Sequence, residues 1–393
     1  MVSARGTVAA GFEPVREAFV ANFEQHDEVG AAVAVYRDGG LVVDLWGGTK
    51  DADARQPWEE DTLQLVFSTT KGLTAASAHL LVQRGDLDLD APVASYWPEF
   101  KAAGKESIPV RWVMCHKAGL PVLDAPLTPA EVLAWDPMVD AIAAQAPAWE
   151  PGTAHGYHHF TYGYMMGEII RRVSGKSPGT FFRENVATLL DLEAYIGLPE
   201  ELEPRVSTLS MPRPRPLDEA ALAAAPPELR QAALEMASLP DDSLPKRAMQ
   251  IVQPMFDFNS REVHAAEMPP ANGIATARSL AKLYASFIGE VDGVRLLEPA
   301  TMEAARTCQA DGVDLILLTP VRWGLGFRLS SPFSPMLGEG CFGHGGAGGS
   351  LAFASPERGV TFAYVMNNMQ SHVGNDPRPR NLISALEQSL TMH

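Results

Sequence analysis

Ser68-Thr69-Thr70-Lys71, followed by Gly72-Leu73-Thr74-Ala75-Ala76-Ser77-Ala78-His79-Leu80-Leu81-Val82, is the stretch on which the fold turns. Between Asp61 and Arg84, Lys71 is the only charged residue. The run after it is apolar or small on almost every side, and a helix of that kind packs inside a protein. Burying an isolated ammonium is costly or drives its pKa down. A lysine kept there, one helical turn from a hydroxyl, is a candidate base for a serine nucleophile. Two further Ser-x-x-Lys copies test how much the pattern means. Ser243-Leu244-Pro245-Lys246 contains a proline, which pushes the preceding residue away from helical geometry. Ser279-Leu280-Ala281-Lys282 reads as helical behind Thr276, with an apolar stripe of Leu280, Leu283, Tyr284, Phe287 and Ile288. That stripe places Ser279 and Lys282 towards the wet face. Only Ser68 and Lys71 are expected to be buried together.

The chain has 393 residues, 46% of them hydrophobic, ample for a large core. A net charge of −17 argues against nucleic acid, whose phosphates require clustered Lys and Arg. It also disfavours anionic membranes and anionic substrates. Cys115, Cys308 and Cys341 are odd in number and far apart, which indicates neither a disulfide framework nor a zinc site. Charges at Arg5, Glu13, Arg16 and Glu17 interrupt the first 19 residues, and no run of about 20 apolar residues exists. A cytoplasmic location is expected.

Around the Ser68 helix, residues 13–25 follow a helical pattern. Ala31–Tyr36 and Leu41–Trp46 flank Asp38-Gly39-Gly40 and read as a β-hairpin. Residues 85–200 are mostly helical, with proline and glycine breaks. The proline-rich 204–270, including Met211 to Pro216, reads as long loops around one helix near 217–237. A helix over 276–289 follows, then strand-like runs at 322–329, 350–354 and 360–366, and a last helix over about 380–391. Strands at both ends with helices between predict an α+β fold. One antiparallel sheet is built from both chain ends and flanked by helices (1–84 and 265–393), with an inserted mostly helical domain (85–264).

A serine–lysine enzyme also needs a second proton carrier and donors for an oxyanion. Tyr157, in Pro151-Gly152-Thr153-Ala154-His155-Gly156-Tyr157-His158-His159-Phe160, precedes a helix over 161–173 and can carry a proton if nearby cations lower its pKa. His155, His158 and His159 lack a carboxylate at helical spacing, so no metal is expected. Phe342-Gly343-His344-Gly345-Gly346-Ala347-Gly348-Gly349-Ser350 would let backbone approach a ligand closely, or simply turn between strands. Its His-Gly-Gly is not an α/β-hydrolase oxyanion motif, because the chain has no Gly-x-Ser-x-Gly elbow.

Taken in order, Ser-x-x-Lys, Tyr157 and His-Gly-Gly resemble the serine β-lactamase and penicillin-binding-protein superfamily. Within it the class C β-lactamase-like family VIII carboxylesterases are most similar. Asp86–Val93, Ile108–Pro121 and Gly167–Gly175 extend the resemblance, which covers about 15 to 385. It implies that Ser68 is acylated, Lys71 is its base and Tyr157 shuttles the proton. The oxyanion hole would be the backbone N–H groups of Ser68 and Ala347. His159 and His344 stand where β-lactamases carry asparagine and lysine, next to Gly345 and Gly346. A histidine is mostly neutral at pH 7, which favours neutral esters over anionic lactams. Phe160 and Trp323 are expected pocket walls. The expectation is a carboxylesterase for short-chain, small-molecule esters, without cofactor. An acyltransferase, a β-lactamase or D-amino-acid peptidase and a non-catalytic scaffold are the alternatives. A homo-oligomer is left open.

Overall fold

The computed structural model describes residues 4–53, 56–210, 222, 225–334, 336–370 and 376–391. Nine strands form one antiparallel sheet in the order β1-β3-β2-β12-β11-β10-β9-β8-β7. The N-terminal strands are β1 (Arg5–Val8), β2 (Gly30–Arg37) and β3 (Gly40–Gly48). The C-terminal ones are β7 (Ala310–Val313), β8 (Pro320–Trp323), β9 (Arg328–Leu329), β10 (Phe342–Gly345), β11 (Leu351–Ser355) and β12 (Val360–Met366). The two ends meet where β2 pairs with β12, Val33 opposite Tyr364. The antiparallel sheet assembled from both ends is therefore present. The expected hairpin is β2–β3, and its turn is Asp38-Gly39 with both residues at positive φ.

Side chains alternate along the central strands. Ala31, Val33 and Val35 face one core with Phe353, Phe362 and Tyr364. Helix α1 (Glu13–Gln25) and helix α5 (Pro377–Thr391) cover that face and pack on each other. Ala34, Ala352, Ala354 and Ala363 face the other, larger core. Their small size lets helix α4 (Ala277–Ile288) lie close against β2, β11 and β12. Beyond α4 lies helix α2 (Thr70–Arg84), which contacts helix α3 (Thr161–Ser174) on its far side. With neighbours all round, α2 buries every residue from Thr70 to Leu81. Leu73, Leu80 and Leu81 each contribute about 1.5–3 kcal/mol by burial. Gly72 is required at the α2–α4 crossing, since a Cβ there would come within 2.5 Å of the Tyr284 hydroxyl. Gly85, at φ 78°, ends the helix in a left-handed cap.

Several details differ from expectation. The run 322–329 is two strands, because Gly324–Phe327 turns between them: the Gly324 N–H bonds the Phe327 carbonyl. His344 lies inside strand β10, not in a turn; Gly343 allows β11 to come close, as a Cβ would meet Ala352 O at 2.2 Å. Strands β1 and β7 and a small sheet, β4 (Gln64–Leu65), β6 (Ile274–Ala275) and β5 (Ala194–Tyr195), were not expected. Met211 to Pro216 lie outside the described residues. The helix expected near 217–237 is described from Pro227 to Ser238, and two short helices, Leu244–Met249 and Arg261–Ala265, also occupy the loop region. The last helix begins at Pro377, earlier than expected. Ser279 is buried, not wet: it sits in the N-cap turn, where its Oγ accepts the Thr276 hydroxyl and the Glu193 N–H. Lys282 reaches away to Asp292 at 2.8 Å, so the two do not pair. Lys246 likewise bonds the Leu239 carbonyl and Asp241. No helix among the described residues is long and apolar enough to cross a membrane.

Candidate active site

The chain enters α2 through a 3-10 turn, Phe67–Thr69, with Phe67 held at φ 45°. A positive φ at a bulky residue is strained by about 1–3 kcal/mol and persists only when its surroundings enforce it. Here Thr70 enforces it: its hydroxyl donates to the Phe67 carbonyl and accepts the Gly273 N–H at 2.7 Å. Gly273 must be glycine, because a Cβ would fall 2.5 Å from Thr70 Oγ1. Ser68 is thereby presented at the head of a buried helix while remaining partly exposed itself.

Lys71 is fully buried. Its Nζ lies 3.1 Å from Ser68 Oγ and donates to the carbonyls of His159 at 2.9 Å and Pro270 at 3.0 Å. Burial pushes its pKa well below the usual lysine range. A neutral amine has two N–H groups and one lone pair. With the two carbonyls engaging two N–H groups, loss of the third proton would turn the lone pair towards the Ser68 hydroxyl.

Tyr157 is buried, its ring centroid 4.9 Å from Lys71 Nζ and its hydroxyl within hydrogen-bonding reach of Ser68. The sequence reading expected cations to lower its pKa. Burial instead raises it, and outweighs the lowering by Ser68 and Arg328. Tyr157 is therefore a proton donor at neutral pH, not a resident phenolate. Its ring stacks on Trp323 at 5.5 Å and 2° and meets the edges of His116 at 5.0 Å and His159 at 4.6 Å.

The loop after β10 closes the site. Ser350 Oγ donates to the Val66 carbonyl at 2.8 Å and lies 3.2 Å from Thr69 Oγ1. Gly346 presses on the same turn; a Cβ there would meet Val66 O at 2.2 Å. This clamp holds Gly346 and Ser350, on either side of Ala347, against the turn that carries Ser68. Among the described residues neither the Ser68 nor the Ala347 N–H has a backbone acceptor. His344 is buried beside Tyr157 and Trp323, both centroids 6.0 Å away. Its Nδ1 bonds the Gly345 carbonyl at 2.7 Å. Burial lowers its pKa to about 3, and does the same to His159. Both imidazoles are neutral, as expected. Opposite them stands an aromatic wall: Phe67 on Phe258 at 4.8 Å, Phe258 on Phe256 at 5.6 Å and Phe256 on Phe160 at 6.2 Å.

A beta-lactamase family model matches residues 15–387. The chain belongs to the beta-lactamase family. It is 37% identical over 374 residues to the esterase/beta-lactamase LipL of Mycobacterium tuberculosis, covering 93% of this chain and 83% of that protein. It is similar to a penicillin-binding-protein homologue from Caulobacter crescentus at 38% identity and a TM-score of 0.85, covering 98% and 99% of the two chains. A structure described as a family VIII carboxylesterase superposes with a TM-score of 0.83 at 34% identity, again over 98% and 99%.

Of the expected residues, direct contacts join Ser68, Lys71, Tyr157, His159, His344 and Trp323 into one cluster, and Phe160 is linked to the Ser68 turn through Phe256, Phe258 and Phe67. Other residues were missed. Asp314 is fully buried; its Oδ1 accepts the N–H groups of Tyr157, Ile316 and Leu317, each at 2.9 Å, and its Oδ2 the Trp323 indole at 3.3 Å. One carboxylate thus fixes both Tyr157 and Trp323. His116, at φ 63°, packs between Tyr157, Tyr162 and Trp323 and accepts the His158 N–H at 3.2 Å. The only sequence signal for Asp314 was a lone acid in Val313-Asp314-Leu315-Ile316-Leu317-Leu318.

Proposed function

We propose that the protein is a serine hydrolase that cleaves short-chain carboxylic esters through an acyl-enzyme on Ser68. The observation that carries this reading is the buried Lys71 amine, 3.1 Å from Ser68 Oγ and held there by the carbonyls of His159 and Pro270. Lys71 takes the Ser68 proton as Oγ attacks the ester carbonyl. The N–H groups of Ser68 and Ala347 receive the oxyanion, the kind of fixed donor worth about 10²–10³ in rate. Tyr157 donates its proton to the departing alkoxide and recovers one from Lys71. Water then repeats the sequence on the acyl-enzyme. The aromatic wall and the two neutral imidazoles support an apolar, uncharged ester around the reacting bond, and the resemblance to LipL and to a carboxylesterase structure agrees.

A second reading, lactam hydrolysis, is favoured by the family itself and by the word beta-lactamase in the name of LipL. A panel of p-nitrophenyl esters beside a chromogenic cephalosporin separates the two. We expect kcat/KM on a C2–C4 ester to exceed that on any lactam by at least about tenfold, or roughly 1.4 kcal/mol in transition-state binding. Ser68→Ala should remove ester turnover, while Ser243→Ala and Ser279→Ala should retain it. A lactam turned over faster than every ester reverses the assignment. Added alcohols, scored by product partition, report any acyl transfer.

A further inference from the structure

His344 stands where the resemblance to β-lactamases has a lysine, yet a cation stands close by. Arg328 leaves β9 opposite Gly343 and Trp323. Its Nε is fully enclosed without a hydrogen-bond partner. Among the described residues no carboxylate lies within ion-pair distance of its guanidinium. Burial pulls its pKa down, but an arginine stays charged at any physiological pH. A half-buried charge that the Asp314 carboxylate reaches only from beyond ion-pair distance is unfavourable unless something closer supplies a counter-ion.

Arg328 lines a cleft of about 260 Å³ between the β9–β10 connection, the glycine loop and α5. Gly345, Gly346 and Ser350 form one wall, Met336 and Ile383 give it apolar surface, and Arg380 adds a second cation at the rim. Asp376 also reaches this cleft, but Arg378 engages both of its oxygens at 2.7–3.2 Å. Gly346 and Ser350 are the same residues that clamp onto Val66 and Thr69. An occupant would sit one loop away from Ser68, and the Arg328 charge already acts on Tyr157 and His344.

We propose that the Arg328 cleft binds a small monoanionic carboxylate, either the tail of an ester substrate or a free acid. The planar guanidinium fork matches a carboxylate. The volume is below the ~300–1,000 Å³ of sites for drug-sized ligands, which suits a chain of a few carbons. The strongly acidic chain, with Asp376 in the wall, disfavours a phosphate dianion. The substrate form of this proposal rests on the esterase reading and refines it: the ester is neutral at the reacting bond and anionic at its far end.

The test compares mono-p-nitrophenyl glutarate with neutral p-nitrophenyl hexanoate, and titrates free pentanoate, a monoanion, by calorimetry. If the tail binds, Arg328→Gln lowers the glutarate-to-hexanoate ratio of kcat/KM by at least about tenfold, with Arg328→Lys falling less. If the free acid binds, that ratio holds and the pentanoate Kd weakens by at least about tenfold in Arg328→Gln. Both parameters unchanged in a folded Arg328→Gln protein overturns the proposal. Should that variant not fold, wild-type protein decides: absence of saturable pentanoate binding up to about 10 mM, with no preference for the glutarate ester, overturns it equally. Failure of wild-type protein on hexanoate would count against the esterase reading alone, since calorimetry still reports on the cleft.

Discussion

Two lysines in this molecule are fully buried, Lys71 and Lys105, and they do opposite things. Lys105 donates to three carbonyls, Ala102 at 2.8 Å, Ala143 at 2.9 Å and Gln145 at 2.6 Å. All three of its protons are engaged, so it is an ammonium that ties a loop to the end of helix Asp136–Ala144. Burial lowers its pKa only to about 8. Lys71 has two carbonyls and, in the third direction, a hydroxyl. A carbonyl can only accept; a hydroxyl can give its proton away. Burial alone therefore does not mark a catalytic lysine. The identity of the third partner makes the difference.

The sharpest way to break this comparison is to replace each lysine by methionine. Lys71→Met should cut kcat on a short ester by about 10³-fold or more, within the range for a positioned proton carrier or beyond it. Lys105→Met should leave the rate per folded molecule within about threefold and lower the melting temperature. The carbonyls it abandons cost about 1–3 kcal/mol each if left unpaired. Equal loss of rate in both variants would erase the distinction.

A smaller effect is expected one step away from Lys71, at the residue that fixes its partner Tyr157. Asp314→Asn keeps an oxygen for the Tyr157 N–H but removes the charge and weakens the hold on Trp323. We expect kcat to fall about tenfold with KM nearly constant, since misplacement of a catalytic group is felt in the transition state. The Asp314 charge raises the Tyr157 pKa, so its loss should move the alkaline limb of the rate profile to lower pH. A merely structural carboxylate would lower the melting temperature and leave that limb in place.

A last effect concerns Lys105 and stability, and does not touch the reaction rate. The native ammonium releases its proton near pH 8, whereas the unfolded chain holds it to about 10.5. Between those values the unfolded state binds more protons, so unfolding free energy rises with pH, by on the order of 3 kcal/mol across the window. Denaturant titrations at pH 7.5 and 9.5 should show the rise in the wild type and its absence in Lys105→Met. An identical rise in the variant would mean that Lys105 is not its source.

Ser68 and Lys71 were legible because a single charge in an apolar helix stands out. The sheet was legible because strands as long as β2, β3 and β12 alternate or run apolar. What sets Lys71 apart was hidden, because its acceptors are main-chain carbonyls of His159 and Pro270, and a carbonyl has no letter in the sequence. Lys105 was hidden for the same reason. β10 was masked by its glycines, which weaken the strand pattern while serving close approach to β11. Ser279 was placed on the wrong side because helical periodicity sees the apolar stripe but not the Glu193 loop that covers the other face. Asp314 gave no motif at all; its meaning comes from four donors gathered around it in space.

The clamp between Thr69 and Ser350 joins residues 281 positions apart. During synthesis, helix α2 and its serine leave the ribosome long before β10, the glycine loop and β12 exist. At about 5–20 residues per second that interval is on the order of 15–60 s. Throughout it Ser68 is an ordinary hydroxyl beside a lysine still in water, and the loop that clamps its turn is not yet made. The site is complete only when β12 pairs with β2 and the finished sheet packs on α4. A chain stopped short of β10 would therefore be inert, and a site split across the two ends of the sequence reports whether the whole molecule has folded.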